Sequence, residues 1–166
     1  MKICVIHIPK TAGSAMHSAF SRIVGSENFL LWDAGGHRFR EKLAASSAEF
    51  DRFEIISGHL LASDYNMLPG PKTFAAVFRE PVARALSWFQ FVTSGRAPDH
   101  PLLTELRELG LRRALEESEA FRTEIANRQC FLVCGEFSFK AAQRALTGGP
   151  WIYGTVEAPR QADGPA

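Results

Sequence analysis

Apolar residues in this chain fall into short unbroken runs separated by longer segments in which they recur every three or four positions. The runs lie at residues 2–8, 29–32, 54–57, 73–78 and 151–156. Continuous runs, rather than alternating ones, are what strands buried on both faces of a parallel sheet require. Between them, Met16, Ala19, Phe20 and Ile23 keep helical spacing, which predicts a helix from Gly13 to about Val24 with Gly25 as its stop. Residues 38–53, 120–132 and 138–146 read as further helices, the last closed by Gly148-Gly149, and Pro81 opens another over 81–89. Leu102, Leu103, Leu106, Leu109, Leu111 and Leu115 mark helical segments interrupted at Gly110. Residues 60–68 are ambiguous and end at Pro69-Gly70-Pro71. Asp33-Ala34-Gly35-Gly36-His37 reads as a mobile turn, and residues 93–101, with Gly95, Pro98 and Pro101, as a loop suited to a lid or an acceptor-facing wall.

Strands alternating with helices predict an α/β three-layer sandwich around a mostly parallel sheet of about four to five strands. With 166 residues and 46% hydrophobic content, the expectation is one domain over residues 1–160 and a disordered tail at 161–166. The formal net charge of +1, with basic residues spread along the chain, gives no stripe for nucleic acid or an anionic membrane. Cys4, Cys130 and Cys134 are odd in number and lack Cys-x-x-Cys spacing, so reduced thiols are expected rather than disulfides or zinc. The chain enters its first strand directly, with no stretch apolar enough for a leader or a membrane span, which predicts a cytoplasmic protein.

Two strand-to-helix junctions carry the chemistry. In the first, His7-Ile8-Pro9-Lys10-Thr11-Ala12-Gly13-Ser14-Ala15 follows the first strand and opens the first helix. Small residues let the backbone approach a ligand there, the first turn of the helix points its N–H groups outward, and Lys10 adds a charge, which together make an anion site. The order does not match a Walker A loop, because the Lys precedes the small residues and no Gly stands four or five places before it. In the second, Arg79-Glu80-Pro81-Val82-Ala83-Arg84-Ala85-Leu86-Ser87 leaves the strand at 73–78. Arg79 and Ser87, two turns apart, could then meet one phosphate beside the strand end.

Both junctions resemble the motifs of the sulfotransferases that use 3′-phosphoadenosine 5′-phosphosulfate. The first is similar to that family's 5′-phosphosulfate loop, His-Ile-Pro-Lys-Thr-Gly-Gly-Thr-Ser, and the second to its 3′-phosphate motif, Arg-Asp-Pro-x-x-Arg-x-x-Ser. The resemblance implies a P-loop-NTPase-like sulfotransferase fold and transfer of a sulfuryl group to an acceptor hydroxyl of a carbohydrate or other small molecule, without a metal. It assigns Lys10, Thr11, Ala12, Gly13, Ser14, Ala15, Arg79 and Ser87 to the donor, with Lys10 also catalytic. Ser57-Gly58-His59-Leu60 looks like the Gly-His of the carbohydrate 2-O-sulfotransferases, whose histidine is the general base, so His59 takes that role here and His37 is its rival. His7 is expected to be packed, and Arg84 to be structural. Asn127-Arg128-Gln129 and Thr155-Val156-Glu157 resemble later family elements. The chain departs from the pattern at Ala12 in place of a Gly, at Ala15 in place of a Ser or Thr, and in ending soon after its last strand. The alternatives are a non-catalytic or degenerate nucleotide-binding module and an ATP-dependent kinase, the latter disfavoured by Arg79 where a magnesium-binding Asp would be expected.

Overall fold

The computed structural model describes residues 1–156. Glu157 and the predicted tail at 161–166 lie outside the described residues. Five strands form one parallel sheet: β1 (Lys2–Ile6), β2 (Phe29–Trp32), β3 (Ile55–Gly58), β4 (Lys72–Arg79) and β5 (Trp151–Val156), in the order β2-β3-β1-β4-β5. The helices among the described residues are α1 (Gly13–Val24), α2 (Gly35–Ala45), α3 (Ala62–Tyr65), α4 (Pro81–Thr93), α5 (Leu103–Glu117), α6 (Glu119–Ile125), α7 (Arg128–Cys134) and α8 (Phe139–Gly148). The predicted α/β sandwich is therefore observed, and every strand of the sheet is parallel to its neighbours. No described helix is long and apolar enough to cross a membrane.

Alternate side chains of the central strands, Cys4, Ile6, Ile56, Phe74 and Ala76, form one core with Phe39 and Leu43 of α2, Tyr65 of α3 and Leu132 of α7. Tyr65 is tied to the sheet as well, its hydroxyl donating to the Val5 carbonyl at 2.8 Å. On the other face α1 packs along β2 and β3. Trp88 and Val92 of α4 close a second core with Leu106, Ala114 and Phe121 of α5 and α6. The kink of α5 falls at Gly110, whose φ of 67° is a left-handed conformation that glycine adopts without a Cβ penalty.

The structure departs from the predicted elements in three places. Residues 38–53 are not one helix: α2 begins at Gly35, inside the turn expected to be mobile, and the chain passes through a 3₁₀ turn at Ser47–Phe50 that drives Phe50 into the core. The indole N–H of Trp32 donates to the Gly35 carbonyl at 3.0 Å and holds that entry. Residues 60–68 contain only the short α3, where the buried Asp64 carboxylate accepts from the Leu61 amide and pairs with Arg40. Residues 120–132 break into α6 and α7 at Asn127, which takes a left-handed φ of 49°. Arg84, only 1% exposed, donates to the carbonyls of Glu124 and Ile125 and so stops α6 from below. This is the structural role expected of Arg84, with backbone carbonyls as its partners.

Candidate active site

The order β2-β3-β1-β4-β5 sends the chain from β1 toward one edge of the sheet and from β4 toward the other. Adjacent strands whose following loops part in opposite directions leave a crevice beyond their carboxyl ends, which is where open parallel sheets bind ligands. The Lys10 loop forms one wall of this crevice and Arg79 the other. They are joined by a hydrogen bond from Arg79 Nη1 to the Lys10 carbonyl at 3.2 Å. A cavity of about 510 Å³ opens here, lined by His7, Lys10, Gly13, His59, Arg79 and Ser87 among others. That volume is within the usual span of ligand clefts, about 300–1,000 Å³.

The loop is shaped by its backbone. Lys10 and Ala12 both take left-handed conformations, with φ of 71° and 65°, and such alternation turns successive N–H groups toward one concave side. No side chain caps the first turn of α1 and no acidic residue stands in it, so the helix presents its N-terminal amides to the cavity. Ala12, Gly13, Ser14 and Ala15 all line the space. Thr11 does not: it is fully buried, and its hydroxyl donates to the Ile8 carbonyl at 2.9 Å, so this residue ties the loop down rather than facing a ligand. The Lys10 ammonium lies 4.2 Å from the centre of the Phe91 ring. Burial, and then the charges of Arg96 and Arg79, push the Lys10 ammonium below its ordinary pKa. Arg96, in the loop after α4, is a basic neighbour that sequence reasoning did not single out. The nearest signal was its place in a loop already marked as facing an acceptor.

Arg79 is held at both of its backbone polar groups. Its amide donates to Gln129 Oε1 at 3.0 Å and its carbonyl accepts from Gln129 Nε2 at 2.9 Å. Its Nε is buried with no partner among the described residues. Ser87 comes to the same cavity from the second turn of α4, a helix whose first turn is capped by Glu80 accepting from the Val82 and Ala83 amides at 2.9 and 2.6 Å. None of the described residues that line the cavity carries a carboxylate.

Compared with known proteins, the chain matches no family model, no curated protein and no solved structure.

His59 stands at the cavity from the segment after β3, exposed, with Nδ1 2.8 Å from the His7 carbonyl. Its ring stacks on His7, centroids 4.2 Å apart and planes 21° from parallel. His17 of α1 meets His7 edge-on at 4.5 Å, and its Nε2 lies 2.9 Å from the hydroxyl of buried Ser57. Burial first, and then His59 and His17, lower the His7 pKa to about 3. His7 is packed, as expected, yet it also lines the cavity. The gathering of these histidines went unread in the sequence, because it depends on the register of β1 against β3. His37 lies elsewhere, exposed on α2 and 3.6 Å from Glu41.

Proposed function

We propose that the protein is a sulfotransferase that moves a sulfuryl group from 3′-phosphoadenosine 5′-phosphosulfate to a hydroxyl of a carbohydrate or another small hydroxylated molecule, leaving adenosine 3′,5′-bisphosphate. The observation that carries this reading is the meeting of two separate anion-reading groups on one cavity whose described lining holds no carboxylate. One is the Lys10 loop with the first turn of α1, and the other is Arg79 with Ser87. A donor with phosphate at both its 3′ and 5′ positions needs two such groups, and ATP, with no 3′-phosphate, leaves the second unused. The buried, unpartnered Nε of Arg79 fits the same demand, since a charged donor without an acceptor is costly unless a ligand supplies one.

When bound, the donor supplies an activated sulfuryl group on a phosphate leaving group. The amides of Gly13, Ser14 and Ala15 and the Lys10 ammonium then hold the 5′ end, and Lys10 neutralises the charge that grows on the departing oxygen. Arg79 and Ser87 hold the 3′-phosphate. His59 takes the proton of the acceptor hydroxyl as its oxygen bonds to sulfur. Cys4, Cys130 and Cys134 are free thiols, which suits a cytoplasmic setting for this chemistry. Titration calorimetry with adenosine 3′,5′-bisphosphate and with ATP, each with EDTA and with magnesium, tests the reading. The bisphosphate is expected to bind in EDTA and more tightly than ATP; tighter ATP binding that requires magnesium would favour a kinase.

A further inference from the structure

The three imidazoles at the crevice come from three places in the chain. His7 follows β1, His17 lies one turn inside α1, and His59 follows β3. The register that pairs Val5 with Ser57 and Ile6 with Gly58 brings His7 and His59 side by side, and the ladder continues through the His7 amide to the Gly58 carbonyl at 2.9 Å. Gly13 makes room for the group: a Cβ there would stand 1.9 Å from His7 Nε2. His7 is thus clamped between the start of α1 on one side and the His59 ring on the other, with His17 set against its edge and tethered by Ser57.

Hydrogen-bond roles follow from this geometry. A carbonyl oxygen can only accept, so the 2.8 Å contact from the His7 carbonyl requires a proton on His59 Nδ1. The neutral His59 ring therefore carries its lone pair on Nε2. Resting on the general-base role proposed for His59, we infer that His7 is its positioning residue: the His7 carbonyl fixes the tautomer and the His7 ring face holds the His59 ring parallel. A proton arriving at Nε2 makes an imidazolium whose Nδ1–H bonds the same carbonyl more strongly and whose charge lies over a neutral aromatic face. Around this group stand His17 from α1, Lys10 from the loop after β1 and Arg79 from the end of β4, and no carboxylate among the described lining residues. Burial and its two neighbours keep His7 neutral, so it offers His59 an uncharged ring face.

Long-range ¹H–¹⁵N correlation spectra of the full chain, labelled at histidine and recorded from pH 4.5 to 8.5, test this directly. In the wild type the spectra should show His59 with its proton on Nδ1 when neutral, and His7 neutral throughout. His7→Ala keeps the backbone carbonyl and removes only the ring that holds His59 flat against it; with the His59 ring free to rotate off the carbonyl, its signals should move to a mixture of both tautomers, with turnover down about tenfold and affinity for adenosine 3′,5′-bisphosphate changed less than about twofold. His7→Phe, which puts a ring face back beside the same carbonyl, should restore the Nδ1–H tautomer and most of the turnover. A wild-type His59 protonated on Nε2, or a His7→Ala protein with an unaltered His59 tautomer and only lower thermal stability, would overturn the assignment. Failure of the bisphosphate to bind with the tautomers as expected would instead reject the sulfotransfer reading alone.

Discussion

At the scale of single residues, Lys10 and His59 should fail differently. In the proposed reaction Lys10 meets charge on the bound donor and additional charge as transfer proceeds, so Lys10→Ala should weaken bisphosphate binding and also lower turnover at saturating donor. His59→Ala should leave bisphosphate affinity nearly unchanged while turnover falls by about two to four orders of magnitude, the usual reach of a general base. Isotope-labelled sulfuryl transfer alongside calorimetry separates the two patterns. The burial of His7 has a consequence for stability too. Its pKa falls from an ordinary 6.5 to about 3 on folding, so the unfolded chain binds a proton that the folded chain refuses. Its contribution is fully present above pH 6.5 and declines as pH falls toward 3. Urea denaturation across that window should show His7→Phe losing less stability on acidification than the wild type, whereas parallel profiles would place His7 in an ordinary solvated site. Lys10, Arg79 and Ser87 were legible in the sequence because each sits at a fixed offset from a strand-to-helix junction, and local spacing carries that information. The orientation of the Thr11 hydroxyl is not encoded in that spacing. Whether a hydroxyl faces a ligand or its own loop depends on the turn, and here it is bonded to the Ile8 carbonyl.

Among elements, all five strands were legible, because each is a short run rich in β-branched, aromatic and other apolar residues between turn or helix signals, even at the edge, where β5 leaves Ile152 and Tyr153 exposed. Helix boundaries fared less well where long-range contacts set them. Nothing local distinguishes residues 120–132 from one helix. The break at Asn127 comes from Arg84 occupying the last carbonyls of α6 and from Gln129 reaching across to both backbone groups of Arg79. The glycines at 33–37 predict a mobile turn, yet the Trp32 indole pins it and α2 starts there. The loop that opens α1 offers a test of its own. Ala12 holds a φ of 65°, a conformation that costs a residue with a Cβ about 1–2 kcal/mol, while a glycine there would lose about 0.5–1 kcal/mol through its freer unfolded chain. Ala12→Gly should therefore be neutral or stabilising by up to about 1.5 kcal/mol in urea denaturation, against the usual loss for Ala→Gly next to a helix. A loss of that usual size would show that the loop relaxes away from the left-handed conformation.

Across the whole molecule, the sheet order brings the two motifs together. Residues 69 positions apart meet because β1 and β4 are hydrogen-bonded neighbours whose following loops diverge, and the contact from Arg79 to the Lys10 carbonyl closes the crevice between them. Motif spacing predicts two anion sites, and the topology brings the residues of both motifs to one cavity. The histidine group depends on the same sheet, through the pairing of β1 with β3, and no periodicity along the chain encodes that pairing. The central claim is that one end of this cavity reads a 3′-phosphate through Arg79 and Ser87. Calorimetry of the wild type and Arg79→Ala with adenosine 3′,5′-bisphosphate and with 5′-AMP tests it most directly, because the two nucleotides differ only in that phosphate. A charge-assisted pair of about 1.5–3 kcal/mol predicts a wild-type preference for the bisphosphate of about ten- to a hundredfold, most of it lost in Arg79→Ala while 5′-AMP affinity stays within about threefold. Equal wild-type affinities for the two nucleotides, or a preference that survives the loss of Arg79, would contradict the account.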